Sequence, residues 1–209
     1  VAWSRERLPG VLLGLFLIWW TWLAIAPAYR QDWLLENLLV VAAVPVLVWN
    51  HRRHPFSNGA YLALFAFGLL HELGAHFTYA EVPYDAWTAA IFGTPLNGLL
   101  GLERNHFDRL VHFSYGLLVT PACQELLERV APSRSFWRWL LPVLFVMSHS
   151  ALFELVEWAA AEVVAGDLGT AYLGTQGDEW DAQKDMAMAM LGAVLAVAWI
   201  GWRRHRRKA

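Results

Sequence analysis

Two stretches near the N-terminus, Val11 to Ala28 and Trp33 to Trp49, read as apolar all round, and further long apolar runs follow at short intervals. A soluble helix shows an apolar stripe and a polar face, so helices without a polar face must meet lipid or one another. Composition agrees: 57% of the 209 residues are hydrophobic, 16% are charged, and 13 are Trp. The expected class is an all-α, polytopic membrane helix bundle. Spans are read at 9–28, 33–50, 58–79, 106–129, 136–164 and 182–203, each near the ~20 residues needed to cross the hydrocarbon.

Orientation follows from the cations. In a six-span arrangement Arg5, Arg7, Arg52, Arg53, Arg129, Arg134, Arg138, Arg203, Arg204, Arg206, Arg207 and Lys208 fall on one side, and Arg30, Arg104, Arg109 and Lys184 on the other. Twelve against four predicts that both termini are cytoplasmic. The loops near 30, 80–105 and 165–181 are then external. Residues 84–102 are apolar, but Gly93, Pro95, Gly98 and Gly101 interrupt them, so they are read as an interfacial or re-entrant element with Trp87 at headgroup level. Arg5, Arg7 and Ala24-Ile25-Ala26 resemble a secretory signal, yet the run is long for a signal core and Pro27 obstructs cleavage, so a retained first helix is expected. Residues 1–209 are read as one transmembrane domain, without repeats. Nucleic-acid binding is excluded, since the basic residues sit at segment ends and form no aromatic-interleaved patch. Cys123 is the one cysteine, which rules out an intrachain disulfide.

Ionisable residues inside spans are costly and mark functional sites by default. Here they come in pairs on single helical faces: Glu72 and His76, Asp108 and His112, Glu154 and Glu157, Asp181 and Asp185. The alternating direction of the spans brings these pairs to the outer half of the bundle. Carboxylates and imidazoles projecting from facing helices suit a divalent metal, with zinc, iron and manganese all chemically compatible. The expected ligands are His76, His112 and some of Glu72, Asp108, Glu154, Glu157, Asp181 and Asp185. Glu154 or Glu157 is expected to act as general base toward a metal-bound water. His71, Arg109, Thr175, Gln176 and Lys184 are candidate substrate contacts.

Simpler readings stand beside these. Asp108 and Asp181 begin helices, where a carboxylate caps free N–H groups. Glu154 and Glu157 lie toward a helix C-terminus, where the dipole disfavours them, so they need a cation, a proton or an arginine. Arg109 and Lys184 are the candidates for a metal-free ion-pair network. His149 reads as a packing histidine, and Glu125 with Arg129 as a solvated pair. His71 and His76 are five apart and so do not form the zinc-protease helix signature, whose histidines are four apart. Gly166, Gly169, Gly174 and Gly177 lack the ending of a phosphate loop and read as a flexible outer loop.

Three segments resemble those of the YjdF-type bacterial inner-membrane proteins: His71-Glu72-Leu73-Gly74-Ala75-His76-Phe77-Thr78-Tyr79, Asn105-His106-Phe107-Asp108-Arg109-Leu110-Val111-His112-Phe113, and the run from Tyr172 through Gly174-Thr175-Gln176-Gly177-Asp178 to Asp185 and Met186. More distantly, Asp108 to Phe113, then Glu154 with Glu157, then Asp181 and Asp185 before Gly192, are similar in order to the VanZ-like membrane proteins, some linked to glycopeptide resistance. This chain has Glu157-Trp158 where the VanZ-like pattern has Gln after its glutamate, and it adds the histidines of the third span. The YjdF resemblance implies a multi-pass inner-membrane location and supports six spans, and it brings no activity with it. The expected function is therefore a metal-dependent membrane hydrolase or transferase acting on a lipid or lipid-linked substrate. The alternatives are a proton- or cation-coupled transporter and a non-catalytic factor with a structural polar network.

Overall fold

A computed structural model describes residues 7–164 and 175–207. Their regular elements are all α-helices: α1 (Arg7–Leu23), α2 (Arg30–Arg53), α3 (Asn58–His76), α4 (Tyr84–Phe92), α5 (Leu96–Leu100), α6 (Phe107–Val130), α7 (Trp137–Val164) and α8 (Asp181–Arg206). By length and composition α2, α7 and α8 can each cross a membrane, and α1 is a shorter apolar helix. The long helices begin and end close to the limits read from the apolar runs. Glycines 166, 169 and 174 of the expected outer loop lie outside the described residues.

The centre of the bundle is the packing of α6 on α8, and small residues make it possible. Gly116, Thr120, Ala122 and Cys123 are buried on α6, and Ala189, Gly192, Ala193 and Ala196 on α8. A Cβ on Gly116 would fall on the Ala189 carbonyl, and one on Gly192 on the Phe113 carbonyl oxygen and the Leu117 nitrogen. Helices in lipid gain little from hydrophobic exclusion and associate through such close backbone approach.

At the end that carries the C-terminus of α8, Glu128 ties three helices together. It accepts from Arg204 Nη1 at 2.6 Å and Nη2 at 3.0 Å, from Arg138 Nε at 3.1 Å and from Gln124 Nε2 at 2.9 Å. Glu125 is 4.0 Å from Arg129, but its shorter partners are the Ser57 N–H and hydroxyl at 2.7 and 2.5 Å. Ser57 in turn caps α3 by accepting from the Ala60 N–H at 3.2 Å.

Residues 84–102 form two short helices closed by left-handed glycines, Gly93 at φ 76° and Gly101 at φ 66°. Helices of 9 and 5 residues are far short of the ~20 that a crossing requires. Ile91, Phe92, Leu99 and Leu100 are strongly exposed on them. Tyr84 fastens the pair to the start of α6, its hydroxyl donating to Asn97 at 2.7 Å and accepting from the His106 N–H at 2.8 Å.

The stretch Trp33 to Trp49 is not apolar all round. Glu36 and Asn37 are buried within α2, and Asn37 accepts from the Trp20 indole of α1 and donates to the Trp33 carbonyl at 2.7 Å. These two residues give α2 a polar inner face that the surrounding hydrophobic residues mask in the sequence.

Candidate functional site

Helices α6 and α8 start at the same end of the bundle, which brings their first turns together with the loop before α8. Arg109 on α6 reaches across with its whole guanidinium. Its Nη1 donates to the Asp181 carbonyl at 2.8 Å and pairs with Asp185 Oδ2 at 2.5 Å. Its Nη2 pairs with Asp181 Oδ1 at 2.6 Å and Asp178 Oδ2 at 3.2 Å. Arg104 Nη2 adds a second contact to Asp181 Oδ1 at 2.5 Å, while its Nη1 donates to the Thr175 carbonyl. Lys184 donates to both carboxylate oxygens of Asp178, at 2.9 and 2.7 Å. In the loop, the Lys184 ammonium and the Trp180 N–H hold the Asp178 carboxyl down at about 2.

The three cations near the site, Arg104, Arg109 and Lys184, are therefore committed to Asp178, Asp181 and Asp185. Arg109 and Lys184 do not pair with Glu154 or Glu157, the partners considered for them from sequence. Beneath this layer, Asp108 Oδ1 and Glu154 Oε1 each stand 3.5 Å from His112 Nε2. Asp108, His112 and Asp185 present ligating atoms all within 4.8 Å of one another. Asp185 is 2% exposed, and its Oδ1, like Glu154 Oε1, is buried without a hydrogen-bond partner. Glu157 is half-buried, with Glu36, Asp108, Glu154 and Asp185 as its acidic neighbours.

A second group of polar side chains lies deeper on α2 and α3. Glu72 is fully buried with neither carboxylate oxygen partnered, and Glu36 Oε2 and His71 Nε2 are also buried without partners. Glu36 has Asp108, Asp32, Glu72 and Glu157 among its charged neighbours and lies within hydrogen-bonding reach of Tyr79. His71 Nδ1 shares a hydrogen bond of 2.6 Å with the Tyr79 hydroxyl.

The remaining candidates are engaged in local structure. His76 Nδ1 bonds the Leu23 carbonyl at 2.8 Å, and the His76 carbonyl accepts from the Ala28 N–H at 2.9 Å, so this residue clasps the end of α3 to the turn after α1. Gln176, at φ 49°, bonds the Asn105 N–H and carbonyl, both at 3.0 Å, and locks the loop before α8 onto the start of α6. His149 bonds the Phe145 carbonyl of its own helix at 2.9 Å. Glu36 and Asp32 were not among the residues singled out from sequence. The signal was present, since they are four apart on one helix, as Asp108 and His112 are.

Beside Arg104, a cavity of about 440 Å³ opens among Gly101, Leu102, Glu103, His106 and Gln176. Its lining residue Arg104 is also a partner of Asp181 in the layer of ion pairs.

Comparison with known proteins gives two matches and one negative. A family model described as predicted membrane protein (DUF2238) matches residues 8–207. The chain is 35% identical over 181 residues to the inner membrane protein YjdF of Escherichia coli (strain K12), covering 86% of this chain and 81% of that protein. No solved structure matches.

Proposed function

We propose, for a chain that belongs to the DUF2238 family of predicted membrane proteins, that it is a six-span inner-membrane protein whose outer-half pocket holds a divalent metal ion for hydrolysis or group transfer on a lipid or lipid-linked substrate. Both termini are cytoplasmic in this reading, supported by the twelve-to-four division of cations. A reporter fused after Arg207 that reads out on the external side would overturn the orientation.

The observation that carries the metal reading is the convergence of Asp108, His112 and Asp185 within 4.8 Å, with Asp185 Oδ1 and Glu154 Oε1 buried and unpartnered beside them. A buried carboxylate without a partner costs several kcal/mol unless a cation or proton joins it. Arg104, Arg109 and Lys184 already serve the three aspartates around α8, so among the described residues no lysine or arginine pairs with Asp108, Glu154 or Glu157, and His112 is the basic group that meets the first two. An imidazole among carboxylates favours zinc, iron or manganese over magnesium or calcium, which take oxygen ligands.

In the resulting mechanism Asp108, His112 and Asp185 would hold the ion, and Arg109 orients Asp185 through its contact with Oδ2. A bound ion would supply Lewis acidity to the substrate. Glu154, which meets the same imidazole from α7, is the carboxylate positioned to accept a proton from an attacking hydroxyl or water. The exposed Trp87, Ile91, Phe92, Leu99 and Leu100 on α4 and α5 support a lipid-borne substrate, since they carry apolar surface to the rim of the site. The cavity beside Arg104 suits its polar headgroup.

The test is metal retention by the full chain, purified in detergent, loaded with zinc or manganese and dialysed against metal-free buffer. Wild type is expected to keep at least one ion per chain, and His112→Ala and Asp185→Asn to lose it while still melting cooperatively. Wild type that retains none, or folded variants that retain as much as wild type, would contradict the assignment.

A further inference from the structure

We propose that the outward face of α7 docks a second copy of this chain, through reciprocal hydrogen bonds from the Ser148 hydroxyl of each copy to the His149 imidazole of the other. This face is turned away from Glu154 and Glu157, so the proposal is independent of the metal reading.

Depth is the first observation. α7 is long and apolar enough to cross a membrane. At 1.5 Å per residue, His149 lies about 18 Å along α7 from Trp137 and about 22 Å from Val164, and a hydrocarbon core is ~30 Å thick. Neither end of the helix therefore brings Ser148 or His149 to the headgroups. Both side chains are nevertheless exposed. A histidine that packed inside the bundle would be covered, as the next residue, Ser150, is at 2% exposure. Lipid chains offer no hydrogen bonds, and polar side chains at this depth serve to join one helix to another.

The hydrogen bonds within α7 define what such a neighbour must offer. The Phe145 carbonyl accepts from the Ser148 hydroxyl at 2.8 Å and from His149 Nδ1 at 2.9 Å. A carbonyl oxygen only accepts, so Nδ1 carries the proton, and in the neutral ring Nε2 is a bare acceptor. It has no hydrogen-bond partner among the described residues. The Phe145 ring lies on the imidazole with centroids 4.3 Å apart and steadies it. Ser148 is the spare donor beside this acceptor: when its hydroxyl turns outward, the Phe145 carbonyl keeps the bond from Nδ1. A bare acceptor next to a releasable donor is a self-complementary pair. A two-fold interface between identical chains requires this property, because residue i meets residue j and j meets i. An unrelated partner would need the matching donor and acceptor at the same depth, whereas a second copy carries both.

The surrounding surface has the form of a helix seam. Ser148, Leu152, Leu155 and Ala159 follow at steps of four, three and four, the spacing at which two helices interlock, and all four are exposed. Ala159 is small enough for close approach of a second backbone. Val146, Ser150 and Ala161, on the other side of α7, are the buried residues, so the seam is free of this chain's own packing.

The experiment is self-association of the full chain in detergent, read by energy transfer between donor- and acceptor-labelled copies, with cooperative melting as the fold check. Wild type is expected to form dimers. Ser148→Ala and His149→Phe each remove both reciprocal bonds, so each should weaken association about eight-fold, at about three-fold per bond. A mixture of the two variants regains one bond, from Ser148 of one chain to His149 of the other, and the mixed pair should associate about three-fold more tightly than either variant with itself. A role in α7 alone gives no such recovery. In a Cys123→Ser background, Leu152→Cys should cross-link to a second copy in native membranes under mild oxidation, and Leu38→Cys, exposed on α2, should not. Monomeric wild type, mixed variants that gain nothing, or Leu152→Cys captured by a different protein in place of a second copy would each overturn the proposal.

Discussion

Replacing Gly192 by leucine is expected to abolish the folded bundle. The new Cβ would land on the Phe113 carbonyl oxygen and the Leu117 nitrogen of α6, both of them backbone atoms that no rotamer change can move. The helices would have to separate, and that separation would also open the buried face formed by Ala189, Ala193 and Ala196 on α8. Overpacking of a core commonly costs ~1–3 kcal/mol, and a clash of backbone on backbone lies at or above that range. Against a total stability of ~5–15 kcal/mol, the overpacking figure alone would leave the bundle folded, so the expected unfolding rests on the backbone clash, which is relieved only by parting α6 from α8. The expected result in detergent is an aggregated, non-cooperatively melting protein. Gly14→Leu is the matched control, since a Cβ there meets nothing within 4 Å, and it should melt as wild type does. A cooperative transition for Gly192→Leu would show that α6 and α8 do not pack at this point.

The second large effect is expected for Arg109→Met. Arg109 contacts Asp178, Asp181 and Asp185 at once, and Asp181 and Asp185 are both buried. Removing one partner of a buried pair typically costs ~3–5 kcal/mol, chiefly because the remaining charge is left uncompensated. Arg104 still contacts Asp181 and Lys184 still contacts Asp178, so the deficit falls mainly on Asp185. The combination Arg109→Met with Asp185→Asn should therefore cost clearly less than the two single changes added together. Equilibrium unfolding of the four proteins in mixed detergent measures this coupling. Strict additivity would mean that Arg109 acts through its aliphatic stem alone.

The helices were legible because the apolar runs are long and the cations sit at their ends. The pairing of Asp108 with His112 on one face followed from a spacing of four, and the two side chains indeed lie 3.5 Å apart. What spacing does not convey is the rotation of each helix about its own axis and the path of the loops. His76 shares the spacing rule with Glu72, yet its ring bonds the Leu23 carbonyl, because the chain after α1 returns to that point. Thr175 and Gln176 looked free for a ligand but serve Arg104 and Asn105 through the course of the loop before α8. Glu36 was obscured for the opposite reason, since the strongly hydrophobic run that follows it masked its pairing with Asp32 one turn earlier. Arg109 was legible as a cation in the right layer, but its choice of the α8 aspartates over Glu154 depends on how closely the small residues let α6 and α8 approach.

That choice leads back to the central claim, that the carboxylates around His112 are completed by a metal ion. X-ray absorption at the metal edge of the zinc- or manganese-loaded full chain tests it most directly. The account predicts one histidine imidazole together with carboxylate oxygens at ~2.0–2.2 Å from the ion, and loss of that imidazole signal in His112→Ala. An oxygen-only shell, or an imidazole signal unchanged in His112→Ala, would contradict it.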